Sequence, residues 1–100
     1  MRTRLLPVAL RDIGSIHRWL SVRSMDAADR IETSIFETIE FLGEHPGLGS
    51  PTDERRVYRW PMTDYRYTIF YRIRFEENTV EILRVVDGRR VRNLRRVPRG

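Results

Sequence analysis

Near residue 43 the apolar side chains stop recurring at helical spacing and begin to alternate, so a chain of this pattern places its helices upstream of that point and most of its sheet downstream. Upstream, Ala28, Ile31, Ile35, Ile39 and Leu42 form one stripe at a 3.6-residue period. Ser24 or Asp26 can cap the start of that helix, Gly43 offers a C-cap, and Pro46 blocks continuation. Leu10, Ile13, His17 and Leu20, with Ile16 beside them, mark an earlier helix that opens at Pro7 and ends near Ser21–Arg23. The short link at Val22–Met25 implies an antiparallel helical hairpin. Thr3 to Pro7 is short and apolar enough for a first strand.

Downstream, HPGLGSP at residues 45–51 is turn chemistry, and Val57 to Met62 reads as a strand with Pro61 near its end. Tyr65 to Phe75 is a longer strand. On it Tyr67, Ile69, Tyr71, Ile73 and Phe75 share one face, and Arg66, Thr68, Arg72 and Arg74 share the other with Phe70. Glu76 to Asn78 can turn a hairpin, Thr79 to Val86 returns as a strand, and Gly88 breaks it. The expected order is β-α-α-β-β-β: an α+β fold in which an antiparallel sheet packs against a two-helix hairpin. The 100 residues make a single domain, 1–100.

Charge narrows the function. Every basic residue is arginine, and the excess lies in one half. Residues 1–50 hold six arginines against seven acids, whereas residues 51–100 hold 13 against seven. A one-sided positive field favours nucleic acid, a nucleoprotein or an acidic protein. A GC-rich genome accounts for arginine over lysine but not for the asymmetry. The chain has no cysteine, which removes disulfides and thiolate metal sites and suits a reducing cytoplasm. The apolar stretch in MRTRLLPVAL stops at Arg11-Asp12, and no run approaches membrane-spanning length. The expectation is a cytoplasmic protein with no membrane partner.

Catalytic and cofactor motifs are missing. No His/Asp/Glu spacing suggests a metal, no glycine-rich loop opens a helix, and no serine sits in a nucleophile context, so no cofactor is expected. His17 lies on an apolar stripe and reads as a packed, hydrogen-bonded imidazole; His45 reads as solvated or capping a helix end. Arg84, mid-strand among Ile82, Leu83, Val85 and Val86, is either paired with a carboxylate or facing a partner. Arg89, Arg90, Arg92, Arg95, Arg96 and Arg99 crowd a tail with no acid after Asp87. The candidate target-binding residues are Arg84, Arg89, Arg90 and Arg92. The tail lacks the periodicity that would bury a face and is not expected in the core. Trp19, Phe36 and Phe41 lie off the stripes of the two helices, where they either widen the core or line a groove for a second protein.

Four stretches carry a family resemblance: DAADRIETSIFETIEFL at 26–42, EHPGLGSP at 44–51, YRYTIFYRI at 65–73 and EILRVVDGRR at 81–90. In this order and spacing they resemble the RelE/ParE toxin superfamily across nearly the whole chain, and EHPGLGSP with RVVDGRR looks most like the ParE branch. The resemblance implies the toxin of a type II toxin–antitoxin pair. Such a toxin is neutralised by a ParD-like or RelB-like antitoxin in a hetero-oligomer, here with Trp19, Phe36 and Phe41 as antitoxin contacts. ParE-like members inhibit DNA gyrase, and RelE-like members cut mRNA in the ribosome. Arg59, Arg66 and Arg89 or Arg90 fall where the ribonucleases place basic residues. Arginine stays protonated and serves poorly as general acid or base. Ribonuclease members also usually carry a Tyr or His near the C-terminus, and VRNLRRVPRG has neither. Many members have His where this chain has Asp87. The resemblance therefore favours a gyrase inhibitor, with a ribosome-dependent mRNA endonuclease as the alternative. A sequence-reading DNA-binding module is disfavoured, because neither helix is strongly basic.

Overall fold

Pro7 and Ser24 open the two helices. Pro7 occupies the first turn of α1 (Pro7–Ser21), where its missing N–H costs nothing. The Ser24 hydroxyl accepts from the Ala27 N–H at 3.1 Å to cap α2 (Met25–Glu44). The structure, a computed structural model, describes residues 1–91 and 96–98. Its strands are β1 (Arg2–Leu5), β2 (Ser50–Pro51), β3 (Val57–Pro61), β4 (Tyr67–Arg74) and β5 (Thr79–Asp87). None of the described helices is long and apolar enough to cross a membrane.

The α+β arrangement is as expected, with two differences in the sheet. Its order is β1-β5-β4-β3-β2, and β1 runs parallel to β5, so the sheet is mixed rather than antiparallel. Short turns force antiparallel pairing only on consecutive strands, and β1 reaches β5 through the rest of the chain. The added strand β2 is two residues long, too short to show a period.

A bulge shapes β5. Phe70 opposes Arg84 while Tyr71 opposes Ile82, which leaves Leu83 as an extra residue. Val80, Ile82 and Val85 therefore join Ile69, Tyr71 and Ile73 beneath Ala9, Ile13, Ile35, Ile39 and Leu42. Leu83 turns to the opposite face, where it meets Val57, Phe70 and Val97 in a second, smaller core. Val97 is only 4% exposed, so the tail returns to the sheet and contributes to packing, contrary to its polar pattern. Burying the Val97 side chain outweighs that pattern. Phe75 leaves the face assigned to it: it sits in a 3-10 turn, 55% exposed, beneath the Arg56 guanidinium at 4.8 Å.

Gly43 is not a C-cap. It lies inside α2, which ends at Glu44 with His45 as the capping residue. The Met1 amine donates to the Gly43 carbonyl at 2.9 Å, and a Cβ at Gly43 would stand 2.7 Å from Thr3 Cγ2. Glycine here lets β1 approach the helix.

The turn after α2 is held by Tyr71. Its hydroxyl donates to the Pro46 carbonyl at 2.7 Å and accepts from the Gly49 N–H at 3.0 Å. Burial pushes the Tyr71 phenol pKa up, against the opposing pull of the Gly49 bond. A Cβ at Gly49 would collide with the phenol oxygen. Replacing Tyr71 with Phe strands both backbone groups and is expected to cost about 2 kcal/mol. That lowers the melting midpoint by roughly 10 °C in a domain of this size. Circular dichroism melts measure it directly, and an unchanged midpoint would mean the turn is held by other contacts.

Candidate functional site

β1 covers only the first half of β5. The register runs from Arg2 opposite Thr79 to Leu5 opposite Ile82, and the chain then turns into α1. The outer edge of β5 beyond that point carries backbone groups that no strand pairs. Asp12 of α1 answers one of them, accepting from the Val85 N–H at 3.0 Å. The same carboxylate grips Arg84 with two bonds, Nε to Oδ2 at 2.8 Å and Nη2 to Oδ1 at 3.0 Å. The bond to Asp12 raises the Arg84 pKa against the opposing effect of burial. Of the two roles open to Arg84, pairing with a carboxylate is the one observed. Its Nη1 also donates to the Pro98 carbonyl at 3.3 Å, which ties the returning tail to the same point.

Between α1, this edge and the tail lies a cleft of about 920 Å³. Val85 and Val86 form its floor, and Val91, Val97 and Pro98 form one wall. From α1 come Asp12, Ser15, Ile16 and Trp19, spaced i, i+3, i+4 and i+7 along one flank. Arg66, Arg84, Arg89, Arg90 and Arg96 bring five guanidinium groups against the carboxylates of Asp12 and Asp87. Five of the 13 arginines of residues 51–100 thus line one cleft.

At the cleft's end β5 bends. The Gly88 N–H donates to the Arg66 carbonyl at 2.7 Å, and a Cβ at Gly88 would stand 2.9 Å from Thr68 Oγ1, so the approach requires glycine. Asp87 caps the following 3-10 turn, accepting from the Arg89 N–H at 3.0 Å and from its guanidinium at 3.1 and 3.3 Å. Arg66 Nε stands 3.1 Å from the same carboxylate. The Arg89 bond holds the Asp87 pKa below the usual carboxylate range despite partial burial. Asp87 is therefore ionised near neutrality.

The candidate residues separate. Trp19, Arg66, Arg84, Arg89 and Arg90 meet in the cleft, whereas Arg59 does not line it. Arg59 sits on β3 opposite Phe70, and its Nε is buried without a hydrogen-bond partner among the described residues. Arg92 lies outside the described residues, as do Arg95 and Arg99. Trp19, Phe36 and Phe41 do not form one patch. Trp19 packs under Arg23 at 3.7 Å, with Arg66 at 5.3 Å, near the helical turn. Phe41 packs on His45 and Trp60 at 4.9 and 5.6 Å, and at 1.5 Å per residue it lies roughly 20 Å from Trp19 along the hairpin. Phe36 is 40% exposed on α2. His17 bonds to Asp29 across the two helices at 2.9 Å, away from the cleft, and no histidine lines the cleft among the described residues. Asp12 went unnoticed in the sequence, although its flank with Ile16 and Trp19 was readable at i, i+4 and i+7.

A family profile described as the ParE toxin of the type II toxin–antitoxin system parDE matches residues 4–92. The chain belongs to the ParE toxin family. The match reaches from β1 past the bend at Gly88 and includes every cleft residue except Arg96, Val97 and Pro98. Solved structures share the fold. A chain of the chromosomal ParDE system of P. aeruginosa superposes with a TM-score of 0.74 at 18% identity, covering 87% of this chain and 95% of that one. A chain of the RelBE2 toxin–antitoxin complex of Mycobacterium tuberculosis gives 0.67 at 24% identity, covering 86% and 95%. The isolated E. coli RelE toxin gives 0.61 at 13% identity, covering 91% and 87%. A comparison with curated protein sequences returns no match. The ParE branch indicated by EHPGLGSP and RVVDGRR is thus the family shown, and the protein is a type II toxin of that family.

Proposed function

We propose that this ParE-family toxin acts by binding, presenting its arginine cleft to DNA gyrase in the cytoplasm, and that an antitoxin neutralises it by direct contact. The observation that carries this reading is the state of Asp87. It stands where many superfamily members have a histidine, and it is locked as a carboxylate between Arg66 and Arg89. A phosphodiester cleavage needs a group that gives up a proton and another that takes one. Around Asp87 stand arginines, which stay protonated, so the cleft is equipped to hold an acidic surface rather than to move protons. The separation of Arg59 from the other arginines weighs against the mRNA endonuclease reading in the same direction.

An antitoxin partner is supported by the relatives, two of which come from toxin–antitoxin systems of P. aeruginosa and M. tuberculosis. Trp19 is the antitoxin contact best placed for an anchor, since it is half-exposed at the cleft. Phe36 and Phe41 would belong to a second, separate contact along α2.

The expected result is that purified toxin, freed of antitoxin, inhibits gyrase supercoiling or traps cleaved DNA, and leaves mRNA on translating ribosomes intact. Supercoiling assays and primer extension on ribosome complexes measure the two outcomes side by side. Ribosome-dependent cleavage with gyrase unaffected would replace this reading with the endonuclease one.

A further inference from the structure

Arg84 joins three parts of the molecule that are distant in sequence. It leaves the bulged strand beside Leu83, takes both oxygens of Asp12 on α1, and reaches the Pro98 carbonyl with its remaining terminal nitrogen. Both ion-pair side chains are well shielded, with 16% and 15% exposed. A guanidinium presents five N–H donors in a rigid plane, so fixing two of them on a carboxylate fixes the direction of the others. Asp12 is itself fixed by the Val85 N–H. The orientation that sends Nη1 to the tail is therefore set from α1.

The described part of the tail is held at two further points by apolar packing, since Val91 and Val97 lie against the second core. Beside Pro98, Val97 is buried against Leu83, Phe70 and Val57, and Arg96 is exposed on the cleft's rim. We propose that Asp12 is a positioning residue for the arginine cleft: through Arg84 it fastens the chain end at Pro98, closes the cleft wall at Val97, and holds Arg96 over the cleft. The importance of this wall for growth arrest rests on the target-binding reading above; the fastening itself does not.

The absence of cysteine supplies a clean probe. In a Val97→Cys protein the thiol is buried and reacts slowly with a disulfide reagent. Adding Asp12→Asn removes the charge but keeps an oxygen for the Val85 N–H. Adding Arg84→Met instead keeps the stem and leaves Asp12 on Val85. Each addition is expected to speed labelling by about tenfold or more, because the tail is released locally. A Ile73→Cys protein serves as the reference, since Ile73 lies in the main core and its thiol reports opening of the whole domain. Tail release speeds labelling at position 97 and leaves the position 73 rate nearly unchanged. A merely stabilising ion pair would speed both in parallel. Parallel acceleration, or an unchanged position 97 rate in both variants, overturns the fastening role.

In cells lacking antitoxin, Asp12→Asn and Arg84→Met without the added thiols are expected to weaken growth arrest. Released tails with undiminished arrest would overturn the link to activity. If reversing Arg89 and Arg90 also left arrest intact, the target reading itself would fall, while the labelling ratio would still decide the fastening.

Discussion

Cells that lack antitoxin and produce the toxin with Arg89, Arg90 and Arg92 all replaced by Glu are expected to grow as if uninduced. Arg89 and Arg90 stand exposed on the 3-10 turn at the cleft's end. Turning them acidic converts attraction to an acidic target into repulsion at short range, and it weakens the long-range field that speeds encounter. Two reversed contacts are enough for roughly a thousandfold loss of affinity. The fold should survive. Arg89 is 67% exposed, and Asp87 keeps Arg66 when Arg89 is lost. The new carboxylate beside Asp87 is expected to lower the melting midpoint by a few degrees only. Growth after induction, read beside thermal melts, measures both effects. Full toxicity in the reversed protein would show that the arginine surface is only solvated.

The largest expected loss of stability lies on the face of the sheet away from the helices. Glu81, with 8% of its side chain exposed, receives Arg4 Nη2 at 2.7 Å and Arg74 Nε at 2.8 Å. Burial pushes its pKa up, and the bonds from Arg74 and Arg4 outweigh this, so it ends below the usual carboxylate range. Replacing both Arg4 and Arg74 with Ala strands a buried carboxylate, which is strongly destabilising, and is expected to lower the melting midpoint by roughly 15 °C. Glu81→Gln should cost far less, because the two arginines can swing into water. The pH dependence carries the sign. With both arginines present, the depressed Glu81 pKa adds stability above the unfolded glutamate value of about 4.3, and this is lost as pH falls through the folded value. In the double variant burial acts alone and raises the pKa, so protonation relieves the strain and acid narrows the deficit. Melts between about pH 3 and 6 distinguish the two. A double variant that melts within a few degrees of the parent would show that Glu81 reaches solvent.

The elements themselves were readable. Helical spacing from Ala28 to Leu42, the Ser24 cap and the alternation from Tyr67 to Ile73 are local properties, and the structure follows them. The parallel β1–β5 pairing was not readable, because no turn connects those strands. Nor was the bulge: Leu83-Arg84-Val85-Val86 gives no sign of which residue is extra. Nor was the burial of both sheet faces, since Phe70 and Leu83 look like exceptions to an exposed face until Val97 covers them. Part of the arginine excess lines the cleft, yet the excess concealed how many of its members are spoken for. Arg66, Arg84 and Arg89 are each held by an aspartate, and Asp12 comes from the half of the chain whose charge is unremarkable.

The pairing of the first strand with the last also fixes when in its synthesis the toxin can acquire its cleft. β1 leaves the ribosome before every other element, yet its hydrogen-bond partners begin at Thr79. The cleft then needs Asp87, the bend at Gly88 and the returning Val97. A growing chain can form its helical hairpin early, through local contacts, but the edge of β5 does not exist until Thr79–Asp87 has been made. Until then the loop between β1 and β5 stays open, and only its closure brings Asp12 to Arg84. The arginine cleft is therefore assembled only after Val97 has been made, long after the helical hairpin that forms its other side.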